Sequence, residues 1–545
     1  MQKQSVRSLS PQTLAGLSGV TIRSRGCVLH QSQVKRKQQS GTKRPLSRIC
    51  SATTQLDRGT QTHDAAKNSQ KVLDEPAGEQ ASDRYVWTTQ WYPVRVAEDL
   101  HTDRPNAVKL LGKDLVIWRD AQKQWRCFED ACPHRFAMLS EGRIEADGTL
   151  ACAYHGWRFD GEGKCTTLPQ TFGAAELDNA ISNKKSCAVS YPVQVKHHLV
   201  WVWPDAGPNN HLEAMAQEVP VAPELLDDSK CIYLHPWYMR ELPYGFETLL
   251  ENLVDPSHVP FTHSGIIGDR TSAAIFRMTL NQKATLHGGF AMDLREVQPG
   301  ASDLVEKGGK NTDSTLHFVP PTLTRYNFGT DELPLILMSY CTPIAPGRSR
   351  LLYCLAGERD KVPKKIQRIV DLVPGWAKFV NHFTRGDVLD GDNVFLHGID
   401  RKLSTEEGYT TQKYYTPTTS DLAVRTIRNW LENMASPVPW PSNALADMHT
   451  RDIPREELLN RYHQHTKHCK NCSQALTVFT WAQKVALGGS VLLTALSGSA
   501  AFTDDSHRPL AFGLLAGAVA SGLAAAQLSK VCQRFIFVDY VQQDH

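Results

Sequence analysis

The chain has 545 residues with 60 Lys+Arg and 57 Asp+Glu, a formal charge of +3. Residues 1–56 hold 10 of the basic residues and no acidic one, which leaves 50 basic and 57 acidic residues over 57–545, a charge of about −7. A mildly acidic body excludes a basic nucleic-acid-binding protein, and 41% hydrophobic content with 36 Gly and 30 Pro excludes collagen-like and mostly disordered chains.

Residues 1–56 are rich in Arg, Lys, Ser and Thr, lack acids, and contain no long apolar run. That composition predicts an organellar transit peptide, with Arg48-Ile49-Cys50-Ser51-Ala52 as a processing point. Residues 57–84 are polar and read as a linker.

From Trp87 to Pro204 the pattern is strand-like. Leu115-Val116-Ile117-Trp118 and Trp125-Arg126-Cys127-Phe128 flank the polar turn Asp120–Gln124, and Leu199-Val200-Trp201-Val202-Trp203 is closed by Pro204. Residues 85–205 are therefore expected to form a small all-β module. Within it lie Cys132-Pro133-His134 and, after 17 intervening residues, Cys152-Ala153-Tyr154-His155-Gly156-Trp157. Each loop offers one thiolate and one imidazole. A zinc finger pairs Cys with Cys and His with His locally, whereas this alternation lets Cys132 and Cys152 hold one iron and His134 and His155 the other. That pattern predicts a Rieske-type [2Fe-2S] cluster, whose neutral imidazoles would raise its potential to roughly −150 to +300 mV.

The catalytic region is expected over residues 206–460. Phe246–Val254 has helical periodicity and leads into Asp255-Pro256-Ser257-His258-Val259-Pro260-Phe261-Thr262-His263. Two prolines interrupt the helix there, so His258 and His263 need not share one straight face. Two imidazoles plus one carboxylate form the facial triad of non-haem Fe(II) oxygenases, with positions left open for O2. The carboxylate must come from downstream, where Asp387, Asp390 and Asp392 sit at the end of a predicted long helix. Spacing does not choose among them, and at least two belong to a solvated acidic stretch.

Residues 461–483 carry Cys469 and Cys472 among His463, His465 and His468. Lys467 and Lys470 favour thiolates, so the pair reads as a redox-active dithiol, and the histidines also permit a zinc site. Other lone cysteines, from Cys127 to Cys532, read as small buried residues. Over 484–530 two uncharged runs, Val485–Thr503 and Pro509–Ser529, bracket a five-residue polar turn. Each is near the ~20 residues that span a hydrocarbon core, so a transmembrane helical hairpin is predicted. Gly513, Gly517, Ala518 and Gly522 supply a small-residue stripe for close helix contact. Lys484, Lys530 and Arg534 place both outer ends on the side of the body. Residues 531–545 form a tail.

Cys132-Pro133-His134-Arg135, Leu139-Ser140-Glu141-Gly142-Arg143, Tyr154-His155-Gly156-Trp157, Leu250 through His258, and a Cys-x2-Cys before two spans resemble the pheophorbide a oxygenase family. This is the plastid branch of Rieske non-haem iron oxygenases, and the likeness covers residues 85–540. The resemblance implies an α+β fold, with an all-β Rieske domain ahead of an α+β helix-grip-like catalytic domain and the C-terminal transmembrane hairpin. It implies a [2Fe-2S] cluster on Cys132, His134, Cys152 and His155, and a mononuclear iron on His258, His263 and Asp392, with Asp390 in reserve. It gives Asp255 the role of joining a cluster histidine of one subunit to an iron histidine of the next, in a head-to-tail homotrimer. It further implies reduced ferredoxin as electron donor, a chlorophyll-type tetrapyrrole and O2 as substrates, and thioredoxin acting on Cys469/Cys472. The location implied is an inner-envelope or thylakoid membrane of the chloroplast, with the catalytic domain facing the stroma. A redox-sensing role in a plastid protein-import complex is the alternative. Arg135 and Arg143 are the candidates for docking ferredoxin on an acidic body.

Overall fold

The computed structural model describes residues 84–541 apart from 226, 298–313, 331–332, 373, 406–407, 410–414, 442–451 and 504. The expected transit peptide, its processing point and nearly all of the linker lie outside the described residues.

The N-terminal part contains eleven strands: β1 Tyr92–Val96, β2 Asn106–Leu110, β3 Lys113–Arg119, β4 Trp125–Glu129, β5 Arg143–Ile144, β6 Leu150–Ala151, β7 Arg158–Phe159, β8 Cys165–Thr167, β9 Ser190–Tyr191, β10 Val193–Lys196 and β11 Leu199–Val202. They form three antiparallel sheets ordered β1-β11-β10, β2-β3-β4-β9 and β5-β6-β7-β8. The unbroken apolar run of β3 has a simple cause. Alternate side chains of a strand face opposite ways, and here both sides are buried. Leu115 and Ile117 enter the large central core, while Val116 and Trp118 enter the core beneath the cluster loops with Phe128, Leu150 and Phe159.

The second part is built on seven long antiparallel strands: β12 Cys231–Leu242, β13 Ile275–Thr285, β14 Gly289–Val297, β15 Ser314–Val319, β16 Leu323–Thr330, β17 Leu333–Ala345 and β18 Arg348–Glu358. Their order is β12-β18-β17-β16-β15-β14-β13, so β12 is an edge strand. Helix α1 (Phe246–Val254) lays Phe246, Leu249, Leu250 and Val254 into the central core, a stripe at i, i+3, i+4 and i+8. The long helix α2 (Pro374–Leu403) runs past it, and Thr248 Oγ1 donates to Asp400 Oδ1 at 2.6 Å between them. Helix α3 (Leu422–Asn429) brings Arg428 against Glu247 and Glu251 of α1. The three helices share one core on a single face of the antiparallel sheet, an α+β arrangement as the resemblance implies.

The boundary near residue 205 is topological only. Tyr92, Val94, Leu110 and Leu115 of the first part share one core with Tyr238, Phe246, Leu351 and Trp430 of the second. The turn between β2 and β3 is bonded across it, from Leu111 N–H to Pro343 O at 3.0 Å and from Gly112 N–H to Ile344 O at 2.7 Å.

Helices α4 (Lys470–Ala501) and α5 (Arg508–Ile536) form the predicted hairpin and are long and apolar enough to cross a membrane. Val478, Trp481, Val491, Phe512 and Leu523 are exposed on its outside. Between the helices, Ser490 Oγ donates to Ala518 O (2.8 Å), Ser497 Oγ to Ala511 O (2.7 Å) and Ser521 Oγ to Ala486 O (2.6 Å). The contact stripe differs from the predicted one. A Cβ on Gly517 would meet Leu493 and one on Gly522 would meet Ser490, whereas Gly513 faces open space. After α5 the chain returns to the body, where Phe537 bridges to Asn460 and Tyr540 is buried.

Candidate iron centres

The two cluster loops repeat one backbone design. Cys132 N–H bonds to Ala137 O (2.8 Å) and Phe136 N–H to Cys132 O (2.8 Å); Cys152 N–H bonds to Trp157 O (2.9 Å) and Gly156 N–H to Cys152 O (3.0 Å). In each loop the residue four past the cysteine has positive φ, 59° at Phe136 and 73° at Gly156, which turns the chain back over the thiol. Both thiols are buried, His134 is exposed and His155 is half-buried. The imidazole rings stand 4.5 Å apart, and His134 stacks on Trp157 at 4.6 Å. Burial pushes the Cys132 thiol up to about 12, so a thiolate there requires a cation beside it. Buried thiols below and accessible imidazoles above are a donor set that fits a [2Fe-2S] cluster whose histidine side faces outward.

The second centre forms where α1 ends. Asp255 breaks the helix and its Oδ1 accepts Ser257 N–H at 2.8 Å, which caps a 3₁₀ turn over Pro256–His258. The short helix Val259–Thr262 follows and delivers His263. His258 Nδ1 donates to the backbone carbonyl of Asp255 at 2.5 Å, leaving Nε2 free to face inward. Asp392 projects from the middle of α2, eleven residues before that helix ends, rather than from its terminus as expected. Its Oδ1 lies 3.3 Å from His263 Nε2 and 3.8 Å from His258 Nε2. One donor atom from each of the three residues lies within 4.8 Å of the others.

These residues fit a metal. Asp392 is a 5% exposed carboxylate whose only ionic neighbours among the described residues are the two imidazoles. A buried carboxylate facing two imidazoles, with no Arg or Lys against it, calls for a cation. Burial alone would lower the His258 pKa, but the hydrogen bond and charge of Asp255, with the charge of Asp392, outweigh it and hold it above its ordinary value. When bound, the cluster supplies single electrons and the mononuclear iron activates dioxygen.

The other aspartates are occupied elsewhere: Asp390 is not solvated as expected, and Asp387, partly exposed, is held in ion pairs. Asp390 is fully buried between Arg240 Nη2 (2.6 Å) and Arg461 Nε (2.8 Å). Asp387 pairs with Arg461 at 2.6 Å and with Arg534. Asp255 keeps a side chain 30% exposed beside His258, its Oδ2 being 3.8 Å from Nδ1.

Two neighbours escaped the sequence reading. Asn252 Nδ2 lies 3.3 Å from His258 Nε2 and 3.5 Å from Asp392 Oδ1, tying α1 to both ligand positions. Its signal was a lone amide in an apolar helix directly ahead of Asp255. Tyr540 comes back from beyond the hairpin, and its hydroxyl donates to Thr262 O at 3.3 Å. A Cβ on Gly391 would sit 3.1 Å from that hydroxyl oxygen and 3.5 Å from His263 Nδ1, so the glycine lets both approach α2. No local pattern announces Tyr540.

Comparison with known proteins agrees with this layout. A Rieske [2Fe-2S] domain model matches residues 90–178 and a pheophorbide a oxygenase model matches residues 318–409. Pheophorbide a oxygenase of Oryza sativa subsp. japonica is 33% identical over 86% of this chain and 87% of its own. Flavonoid 8-hydroxylase 2 of Ocimum basilicum is 32% identical over 84% and 86%, and protochlorophyllide-dependent translocon component 52 of Arabidopsis thaliana 31% over 73% and 75%. A cluster-binding β domain ahead of a two-histidine, one-carboxylate centre defines a Rieske non-haem iron oxygenase. Within that class, the chain belongs to the pheophorbide a oxygenase family.

Proposed function

We propose that this protein is a plastid membrane oxygenase that inserts oxygen into a chlorophyll-type tetrapyrrole, with reduced ferredoxin as electron donor. The observation that supports this reading is the meeting of His258, His263 and Asp392 beside a half-exposed Asp255, in a chain that also carries the two cluster loops. Cys132, Cys152, His134 and His155 would hold the cluster; His258, His263 and Asp392 would hold the mononuclear iron. Asp255 orients His258 through its backbone carbonyl and keeps Oδ2 available to a histidine on a second copy, His134 or His155, in a head-to-tail trimer. Asn252 lies beside both residues, and its amide reaches Asp392 Oδ1 at 3.5 Å.

The relatives' names guide the substrate. Relatives named for pheophorbide a, chlorophyllide a and protochlorophyllide favour a tetrapyrrole, and the basil hydroxylase makes a flavonoid the competing class. Exposed Phe261, between the two iron histidines, and exposed Phe395, one turn beyond Asp392, suit a flat apolar ligand. Anchorage by α4 and α5 suits a substrate that resides in pigment membranes, with the body on the stromal side. Arg135 is exposed on a cluster loop and is the stronger ferredoxin contact, because Arg143 is engaged by Glu145 at 2.7 Å. Thioredoxin is the weakest of the expected partners, since Cys469 and Cys472 are 2% and 1% exposed.

The test is turnover by the full chain in nanodiscs with reduced ferredoxin, O2 and, in turn, pheophorbide a, chlorophyllide, protochlorophyllide and a flavone. Mass spectrometry should find an oxygenated tetrapyrrole, and His258→Ala should abolish it while the cluster absorption stays. Conversion of the flavone alone, or undiminished turnover by His258→Ala, would sink the proposal. Failure on every substrate together with co-purified import components would favour the translocon role carried in the name of the Arabidopsis relative.

A further inference from the structure

A second cluster of metal-ligating groups lies apart from both iron centres, where the hairpin joins the body. Cys469 precedes the first residue of α4, Cys472 is on its first turn, His465 is four residues before Cys469, and His382 comes from α2. All four are buried, and one donor atom from each lies within 4.8 Å of the others. His465 Nε2 is 3.3 Å from Cys472 Sγ, and His382 Nδ1 is 3.5 Å from Cys469 Sγ and 3.6 Å from Cys472 Sγ. A tetrahedral zinc with bonds of about 2.3 Å to sulfur and about 2.0–2.1 Å to nitrogen has S···N edges of about 3.6 Å. The observed separations match.

The orientation of both rings supports the same conclusion. His465 Nδ1 donates to Met239 O at 2.6 Å, and His382 Nε2 lies 3.3 Å from Trp237 O. A carbonyl only accepts, so these nitrogens carry the ring protons and the opposite nitrogens turn lone pairs toward the thiols. Both carbonyls belong to β12, an edge strand with open backbone acceptors, and β12 is irregular between His235 and Tyr238, next to Trp237. Metal-ligating histidines are commonly held this way, by a backbone carbonyl on the far ring nitrogen. Tyr238 stacks on His465 with ring centres 4.2 Å apart, and Phe379, Phe383, Phe479 and Phe535 pack around the cysteines. None of the four candidate ligands is more than 5% exposed.

We propose that His382, His465, Cys469 and Cys472 bind one structural zinc ion that clamps the start of the first membrane helix to helix α2. Two thiolates and two neutral imidazoles in a closed, dry tetrahedron leave no open position, which makes the site structural rather than catalytic. The clamp has a place in the enzyme's architecture. His382 stands ten residues before Asp392 on one helix, about 15 Å along its axis, so the zinc joins the membrane anchor to the element that carries the iron carboxylate. The local motif is Cys-x2-Cys with His465; the fourth ligand arrives from 83 residues upstream of that histidine.

The experiment uses untagged, full-length protein purified in detergent under reducing, anaerobic conditions. Metal analysis should find about one zinc per chain beside about three iron atoms, two in the cluster and one mononuclear. Zinc-edge X-ray absorption should show two sulfur neighbours at about 2.3 Å and two nitrogen neighbours at about 2.0–2.1 Å. Cys469→Ser/Cys472→Ser should lower zinc at least tenfold with iron retained. Should that variant fail to accumulate, the absorption shell of the unaltered protein decides alone. Iron-replete protein without zinc, a zinc shell lacking sulfur, or a Cys469–Cys472 disulfide under these conditions would overturn the proposal, the last in favour of a redox switch.

Discussion

Asp390 and Asp392 are two positions apart on α2, about 200° of rotation, and that rotation gives them different partners. Asp390 meets two guanidiniums in a site with no exposure on either Asp390 or Arg240, and Asp392 meets two imidazoles. Removing one member of a buried ion pair leaves the other charged and unsolvated, at about 3–5 kcal/mol. Asp390→Ala should therefore lower stability by that order in denaturant unfolding, with loss of all iron secondary to unfolding. Asp392→Ala leaves no cation stranded. It should hold the melting temperature within a few degrees and retain the cluster spectrum while the mononuclear iron is lost. Equal destabilisation by the two would mean that both aspartates are structural. The spacing of Asp387, Asp390 and Asp392 left this choice open because helical phase relative to a distant imidazole pair is set by packing.

At the scale of elements, α1 and the hairpin show where a single change acts. Leu250 is fully buried between helix and sheet, so Leu250→Ala should cost about 2–5 kcal/mol in denaturant unfolding and disturb the nearby Asp255–His263 turn. In the hairpin, Gly522→Leu has to displace Ser490, whereas Gly513→Leu extends into open space. Hydrogen exchange over residues 508–536 should rise in the first and stay unchanged in the second; the reverse order would refute the observed helix face. The periodicity of Phe246–Val254 and the two uncharged runs made these elements legible from the sequence. The interface between α4 and α5 was not, because Gly, Ala and Ser occur all around both helices and only the antiparallel register selects among them.

Across the whole molecule, two half-buried glutamates make stability depend on pH in opposite directions. Burial pushes Glu241 up, but Arg350 at 2.9 Å and Arg95 at 3.0 Å prevail and hold it well below its ordinary value. The unfolded chain then takes up that proton first. Its contribution is fully present above the ordinary glutamate pKa of about 4.3 and is lost as the pH falls toward the folded value. Glu247 is raised to about 7 by burial, which Arg428 only partly offsets. Its folded form holds a proton that the unfolded form releases, so stability declines as the pH climbs from about 4.3 to about 7. Melting temperatures measured from pH 4 to 8 should show Glu241→Gln flattening the acid limb and Glu247→Gln flattening the neutral one. A Glu241→Gln variant with an unchanged acid limb would refute the arginine pairing as its cause. Because one core runs through both the cluster-binding and catalytic parts, these effects should appear in a single transition that also bleaches the cluster.

Local sequence determined the chemistry on offer: two loops with one Cys and one His each, a broken helix with two histidines, a Cys-x2-Cys, and two apolar runs. Those are readable because ligand type, turn residues and hydrophobic period act within a few residues of one another. Tertiary structure decided which groups meet. It placed Asp392 rather than Asp390 against the imidazoles, returned Tyr540 to the neighbourhood of His263 from beyond the hairpin, and brought His382 to the cysteines. Each of those pairings joins segments tens to hundreds of residues apart, and only the packing of α2 between the sheet, the hairpin and the returning tail brings them within bonding distance.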